Sequence, residues 1–192
     1  MKVKIIKETR EFDDFLKVDK AVLKHEKFNG EMSHDMVRLN LNRPDAVAVL
    51  LYDDKKDSVI LVKQFRYPAY VNNGPGWILE LVAGIITDGK DKISTANAEL
   101  MEEAGYEVEK LQYINTFYPS PGGSSEKLHL YLGIAPRKVN TGGGLPEEHE
   151  DIQVVEMSFT KAMEMIETGE ICDAKTIIAL QWLMLKKLEM ED

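Results

Sequence analysis

The segment 78–106 constrains what this chain can fold into more than any other part of the sequence. It opens with an apolar run and continues into a polar loop that contains glycines. Residues 91–104 then have helical composition, with Asp91 or Ser94 available as the N-cap and Gly105 at the first position after the helix. The segment therefore predicts a strand, a glycine loop and a helix in direct succession.

Three glutamates mark one face of the predicted helix. Glu99, Glu102 and Glu103 are spaced i, i+3 and i+4, so an α-helix places their side chains on the same face. Carboxylates this close repel one another, whereas a hard divalent cation binds oxygen ligands and relieves the repulsion. The pattern fits a solvated acidic helix face or a metal site, and the helix alone leaves both interpretations open.

The net charge restricts the class of partner. The 192 residues include 24 Lys and Arg against 33 Asp and Glu, which gives a formal net charge of -9. Affinity for phosphate backbones comes mainly from Lys and Arg, so we expect no nucleic-acid partner. If the substrate is itself an anion, a divalent cation is the natural means of offsetting the repulsion.

Targeting and redox features favour the cytoplasm. Residues 1–7 alternate charged and apolar side chains and lack the continuous apolar stretch of a signal peptide. No apolar run approaches the roughly 20 residues that a membrane-spanning helix needs, so we expect no membrane association. A single cysteine, Cys172, excludes an internal disulfide and fits a reducing compartment. These features together predict a cytoplasmic protein.

Two regions of different character follow one another along the chain. Residues 1–44 are polar and charged, with short alternating pieces that predict a small β domain with little core of its own. Residues 45–192 predict the main domain, where strands and helices intermix without a βαβ rhythm, so the fold class is α+β. The predicted strands are 46–52, 58–64, 78–83, 111–117 and 128–134, and the predicted helices are 91–104, 160–168 and 175–188.

The segment around the three glutamates resembles the Nudix box. That box runs glycine, five residues, glutamate, seven residues, Arg-Glu, an aliphatic residue, any residue, Glu-Glu, any residue, glycine, and an aliphatic or aromatic residue. Seven positions match it in type and spacing: Gly84, Glu99, Leu100, Glu102, Glu103, Gly105 and Tyr106. Two positions depart, because Lys90 replaces the first glutamate and Ala98 replaces the arginine, which in the family brace the loop and orient the other glutamates.

Over about residues 12–188 the chain is similar to the ADP-ribose pyrophosphatase and nucleoside-diphosphosugar hydrolase branch of that family. Five stretches have counterparts there in the same order: 28–34, 62–66, 80–84, 120–123 and 148–152. The resemblance implies an α/β/α Nudix sandwich preceded by a small N-terminal β domain. It also implies a homodimer that hydrolyses the diphosphate of a nucleotide sugar with Mg²⁺, for which Mn²⁺ can substitute.

Carried over by position, the resemblance implies a metal site and a general base. The metal ligands would be the carbonyl oxygen of Ala83 and the carboxylates of Glu99, Glu102, Glu103 and Glu150. Glu103 would also be catalytic, and Glu150 would join once its loop closes. Glu148 would be the general base that acts on water. Without the resemblance, the acidic run 147–151 reads as a solvated loop.

The resemblance also implies four substrate contacts. Arg66 would bind the diphosphate, while Arg38 and Phe15 would bind the nucleotide across a dimer, and Glu126 would be a further contact. The alternative for Arg66 is a structural ion pair with an acid. The alternative for Phe15 is a place in the core of the small domain.

Three functions stay open at this stage. The favoured one is hydrolysis of ADP-ribose to AMP and ribose 5-phosphate, because 28–34 and 178–183 resemble the ADP-ribose members. The same chemistry on GDP-mannose or UDP-glucose is the near alternative, because 142–145 resembles the sugar-nucleotide members. A catalytically weak nucleotide-binding module is the third, motivated by Lys90 and Ala98 and opposed by the intact glutamates.

Overall fold

The chain divides into two compact units in the computed structural model. The structure describes residues 1–87 and 89–191, apart from the side chains of Glu148, Met190 and Glu191. The first unit contains residues 1–45 together with 118–127, and the second contains 46–117 and 128–192. No local pattern in the sequence indicates that residues 118–127 belong to the same unit as residues 1–45.

The first unit is a three-stranded antiparallel sheet. Its strands are β1 (Val3–Asp13), β2 (Lys17–His25) and β3 (Met36–Asn42), in that order across the sheet. A turn at 28–31 connects β2 to β3 and uses Gly30 with a φ of +85°. The only residue of this unit that is fully buried is Asp19, which pairs with Arg10 and Asn42. The sheet thus has almost no apolar core of its own.

The second unit is built on a seven-stranded mixed sheet. The strands are β4 (Ala46–Asp53), β5 (Ser58–Phe65), β6 (Trp77–Glu80), β7 (Val82–Ile85), β9 (Lys110–Phe117), β10 (Leu128–Ile134) and β12 (Gln153–Ser158). Their order across the sheet is β12-β5-β4-β10-β9, with β6 paired to β5 and β7 paired to β4. A separate pair joins β8 (Tyr106–Glu107) to β11 (Arg137–Lys138). Four of the five predicted strands are confirmed to within one residue.

The predicted strand 78–83 is wrong as a single element. It is two strands that meet at Leu81, because β4 and β5 pair with each other only over Leu51–Asp53 and Ser58–Ile60. Beyond that point β6 pairs with β5, and β7 pairs with β4. The Leu81 N–H donates to the Thr176 hydroxyl oxygen at 3.0 Å, which satisfies the backbone at the break.

Helices cover both faces of this sheet, so the predicted α/β/α sandwich is confirmed. The strand β4 is apolar at every position from Ala46 to Leu51 because both of its faces are buried. Ala46, Ala48 and Leu50 pack in one cluster with residues of α3 (Phe159–Glu167) and α4 (Ala174–Glu191). The alternate residues Val47, Val49 and Leu51 pack with Ala96, Leu100 and Ala104.

The helices differ from prediction in two places. The two C-terminal helices agree to within one to three residues, but a short helix, α1 (Tyr67–Val71), was not predicted. The predicted helix 91–104 is an α-helix only over α2 (Lys92–Glu99) and continues as a π-helical turn over Leu100–Ala104. Among the described residues, no helix is long and apolar enough to cross a membrane.

Candidate active site

The helical segment Lys92–Glu99 and Leu100–Ala104, here named the glutamate helix, is fixed at both ends by local hydrogen bonds. Asp91 is the N-cap, and its side chain accepts from the N–H groups of Ile93 and Ser94 at 2.8 and 3.0 Å. At the other end the Gly105 N–H donates to the Leu100 carbonyl, five residues earlier, and Gly105 has a φ of +74°. Single π turns often occur at functional sites. Here the turn spans the stretch that carries Glu102 and Glu103.

Glu103 is a buried carboxylate beside the end of strand β7. It is 3% exposed, and its Oε2 accepts from the Ala83 N–H at 3.0 Å. The Gln64 amide lies 3.4 Å from Oε1. The pKa of Glu103 is raised to about 8, chiefly by burial and also by the charges of Glu99 and Glu150, while the Ala83 hydrogen bond and the charge of Arg66 act in the opposite direction. The buried carboxylate thus lies in a negative environment.

Glu99 lies against Gly84, which explains why the chain needs glycine there. A Cβ on residue 84 would come within 1.8 Å of the Glu99 Oε1 and 2.4 Å of its Cγ. The predicted ligands Ala83, Glu99, Glu103 and Glu150 are therefore brought together by the structure, whereas Glu102 is half-buried on the same turn. The backbone of Glu148 lies in the 3-10 turn Pro146–Glu148, and its side chain is outside the described residues.

We expect Gly84→Ala to impair activity far more than stability. The new methyl group meets only the flexible Glu99 side chain, which can change rotamer at little cost, but the carboxylate then leaves its place. A displaced catalytic group of this kind lowers turnover by about 10²-fold. Steady-state kinetics and thermal melting check this, with Gly169→Ala as control because Gly169 follows α3 and nothing lies within 4 Å of that position. A wild-type kcat for Gly84→Ala would contradict the role of Glu99.

The donor set of this cluster fits a hard divalent cation. It consists of carboxylate and carbonyl oxygens, the ligands that Mg²⁺ and Mn²⁺ prefer. Glu103 is coupled electrostatically to Glu99 and Glu150, and a cation would relieve that repulsion. Within the part of the chain that the structure describes, no three acidic, histidine or cysteine side chains form a complete metal site.

Arg66 forms an ion pair with an acid that the sequence did not single out. Its Nε and one terminal nitrogen donate to the two oxygens of Glu80 at 2.6 and 3.1 Å. Lys175 also donates to Glu80, at 2.6 Å, and contacts Asp173 at 3.1 Å. Glu80 is only 3% exposed, whereas the Arg66 side chain is 43% exposed. The one available signal was a glutamate inside the otherwise apolar run 78–83.

We expect Glu80→Gln to destabilise the protein by about 3 kcal/mol, because breaking a buried ion pair leaves its partners uncompensated. Burial alone raises the pKa of Glu80, but the hydrogen bond from Arg66 and the charge of Lys175 lower it below 4.5 overall. The contribution is thus present above pH 4.5 and is lost as the pH falls through the lower folded-state pKa.

Urea unfolding of the Glu80 variant at pH 7 and pH 3 measures both effects. The matched control is Glu156→Gln, since Glu156 also pairs with a lysine, at 2.9 Å, but is 38% exposed. Such a surface pair contributes about 0–1 kcal/mol. Equal losses for the two variants, or a Glu80 loss that does not shrink at pH 3, would show that the buried network is not the cause.

The other predicted substrate contacts belong to the first unit. Phe15, between β1 and β2, is 84% exposed, so it is not a core residue of the small domain. Arg38 is exposed on β3 and lines a pocket of about 430 Å³ with Tyr118 and residues 121–125. Glu126 contacts Arg43 at 3.6 Å.

Lys90 and Ala98 are the two positions that depart from the box, and they differ in their surroundings. Lys90 is exposed, and its N–H donates to the Thr87 carbonyl at 3.1 Å. Ala98 is half-buried within α2. The Ala83 N–H binds the Glu103 carboxylate, and the Glu99 side chain lies against Gly84.

The fold and the site together define a Nudix hydrolase. Residues 42–180 match the NUDIX domain, and the chain belongs to that family. It is 37% identical to the ADP-ribose pyrophosphatase of Escherichia coli (strain K12) over 184 residues, which cover 95% of this chain and 88% of that protein. It is 39% identical to the GDP-mannose pyrophosphatase of Shigella flexneri serotype 5b (strain 8401) over 150 residues, 77% of each chain.

A solved structure supports the fold over the whole chain. The crystal structure of an ADP compounds hydrolase superposes with a TM-score of 0.75 and covers 100% of this chain and 96% of that one. The sequence identity is 22%, so this likeness concerns the architecture alone.

Proposed function

We propose that this protein hydrolyses the diphosphate bond of ADP-ribose to AMP and ribose 5-phosphate, with Mg²⁺ as cofactor. The observation that carries the proposal is the buried Glu103 carboxylate, close to Glu99 and Glu150 beside Ala83 and Gly84 of strand β7. A chain has little reason to retain a buried carboxylate next to two half-buried ones that repel it unless a cation uses them. The near full-length similarity to an ADP-ribose pyrophosphatase supports this substrate.

The proposed mechanism assigns separate tasks to the helix and to the acidic loop. Glu99, Glu102, Glu103, Glu150 and the Ala83 carbonyl would hold the cation. A bound divalent cation stabilises charge on the phosphoryl oxygens and lowers the pKa of water. Glu148 takes the proton from the attacking water, which adds to one phosphorus while the bridging P–O bond breaks. Loop closure over the substrate would complete the site only when substrate is present.

Arg66 is proposed to bind the diphosphate despite its pairing with Glu80. The carboxylate occupies one edge of the guanidinium and fixes its plane, while 43% of the side chain stays exposed. Its charge acts on the buried Glu103, so it lies close to the glutamate cluster. An arginine fork oriented in this way suits recognition of phosphate oxygens.

A homodimer is proposed because the first unit exposes much of its apolar surface. Examples are Phe12 on β1, Leu39 on β3 and Phe15 in the connection between β1 and β2, whereas the only buried residue of the unit is an aspartate. A symmetric partner is the commonest way to bury such a surface, and Arg38, Phe15 and Glu126 are then proposed to bind nucleotide across the dimer. Sedimentation equilibrium at micromolar concentration should give about twice 21.8 kDa. A monomer mass would contradict this.

The proposed setting is the cytoplasm, with a small nucleotide sugar as partner. The one cysteine, Cys172, is free and exposed, which is compatible with a reducing compartment. The net charge of -9 disfavours nucleic acid as a ligand.

A substrate panel tests the proposal against its nearest alternative. ADP-ribose, GDP-mannose and UDP-glucose are each supplied at equal concentration with Mg²⁺, with Mn²⁺ and with EDTA, and the released nucleoside monophosphate is measured. We expect the highest kcat/KM for ADP-ribose and no turnover in EDTA. A preference for GDP-mannose is the second candidate, favoured by the 39% identity to a GDP-mannose pyrophosphatase. Binding without any turnover would identify a nucleotide-binding module instead.

A further inference from the structure

The glycine run 142–144 contacts the turn that carries the glutamates. The Gly143 N–H donates to the Glu103 carbonyl at 2.9 Å, and the Gly144 N–H donates to the Glu102 carbonyl at 3.0 Å. These carbonyls lie at the end of the helical segment, where they have no partner within the helix. The same two residues thus offer their carboxylates to the proposed site and their backbone to the glycine run.

Gly143 also contacts the residue that follows the acidic loop, residues 145–151. The Gly143 carbonyl accepts from the Ile152 N–H at 3.2 Å, so both ends of this loop lie beside Gly143. Within the loop, the Leu145 N–H donates to the Glu150 Oε2 at 2.9 Å and the Glu150 N–H donates to the Leu145 carbonyl at 3.3 Å. Gly143 is therefore the junction between the glutamate helix and the loop that carries Glu148 and Glu150.

Only glycine fits next to this junction. Gly142 has a φ of +64°, and a Cβ there would lie 2.5 Å from the Ala104 carbonyl carbon and 2.6 Å from the Glu103 carbonyl oxygen. Both are backbone atoms, which cannot move away cheaply. Gly144, with a φ of +84°, is equally tight against the Glu150 Cβ at 2.5 Å. The close approach of two backbones requires glycine at position 142, and at position 144 the positive φ and the nearby Glu150 side chain require it.

Asn140 holds the start of the run in place. Its side-chain oxygen accepts from the Gly142 N–H at 2.7 Å, and its own N–H donates to the Gly105 carbonyl at 3.2 Å. This Asx turn bends the chain toward the helix end just before the glycines begin. The Asn140 side-chain oxygen and the glycines therefore position the backbone of the same segment, residues 140–144.

We propose that the segment 140–144 is a clamp that positions loop 145–151 against the glutamate helix. It fixes how far the Glu150 carboxylate can lie from Glu99 and Glu103, and Asn140 and Gly142 are its positioning residues. The inference rests on the proposed function for its effect on turnover. The clamp itself rests on hydrogen bonds and can be measured without turnover.

The Asn140 oxygen is tested with a pair of substitutions. Asn140→Ala removes the acceptor, and we expect kcat for ADP-ribose to fall roughly 10-fold, with KM and melting temperature near wild type. Asn140→Asp keeps an oxygen in the same position and should restore most of kcat. The control is Asp53→Ala, because Asp53 forms the same type of turn with the Lys55 N–H, at 3.1 Å, in the β4–β5 hairpin.

The glycine requirement is tested at position 142. Gly142→Ala should lower kcat about 10²-fold, the loss expected for a displacement of about 1 Å. Its control, Gly169→Ala, shares the positive φ, at +80°, but has nothing within 4 Å. The Gly169 variant therefore reports backbone strain alone and should keep wild-type kcat. If Gly142→Ala does not fold, the Asn140 pair decides.

Amide hydrogen exchange gives the readout that is independent of turnover. The N–H groups of Gly143 and Gly144 should be protected in the wild type, and should exchange at least roughly 10-fold faster in Asn140→Ala. Unchanged exchange together with unchanged kcat in that variant overturns the clamp. If the wild type fails to hydrolyse ADP-ribose, the proposed function is wrong, while the exchange rates still decide whether the clamp exists.

Discussion

Replacing Glu103 by glutamine is expected to lower kcat for ADP-ribose by about 10³–10⁴-fold while the protein stays folded. Glutamine keeps the shape and one oxygen that can accept from the Ala83 N–H, which the carboxylate now binds at 3.0 Å. It removes the charge that the proposed cation needs. Burial near Glu99 and Glu150 makes that charge unfavourable without a cation. The melting temperature in EDTA should therefore equal or exceed that of the wild type.

Three measurements separate this expectation from a general structural defect. They are kcat as a function of Mg²⁺ concentration, Mn²⁺ binding to the free protein, and thermal melting in EDTA. The matched control is Glu107→Gln, since Glu107 is exposed just after the helix and pairs with Arg137. Retention of wild-type kcat and Mn²⁺ affinity by the Glu103 variant would remove it from the proposed metal site.

The second large effect is expected at Glu148. Glu148→Gln should lower kcat by about 10²–10⁴-fold, the usual contribution of a general base, and leave Mn²⁺ affinity nearly intact. This pattern differs from that of the Glu103 variant, which should lose both. Single-turnover kinetics with Mn²⁺ titration of both variants provide the comparison.

Glu150→Gln serves as the neighbouring variant in the same loop. Its carboxylate is near Glu103 and accepts from the Leu145 N–H, so its loss should weaken Mn²⁺ binding as well as turnover. The opposite result, full activity of Glu148→Gln and loss of activity without loss of metal binding in Glu150→Gln, would assign the base to Glu150. Partial replacement of one loop glutamate by another, such as Glu147, would appear as a smaller loss in each single variant.

The sequence alone determined the features that depend on local chemistry. The cap at Asp91, the end of the helix at Gly105 and the apolar strands could be predicted because capping and periodicity act over a few residues. The i, i+3 and i+4 spacing of Glu99, Glu102 and Glu103 indicated the shared glutamate face for the same reason, and the resemblance to the Nudix box added Gly84. Gly84 was visible as part of the pattern, although its role of making room for the Glu99 carboxylate was not.

Only the tertiary structure decided the partners that lie far apart in the chain. The strand break at Leu81 occurs because β4 and β5 separate, which no local pattern indicates. Glu80 pairs with Arg66 and with Lys175, 95 residues away, and Gly143 reaches the Glu103 carbonyl from 40 residues further along the chain. Such pairs are set by how sheet and helices pack, because burial leaves each polar group only the partner that the fold brings within reach.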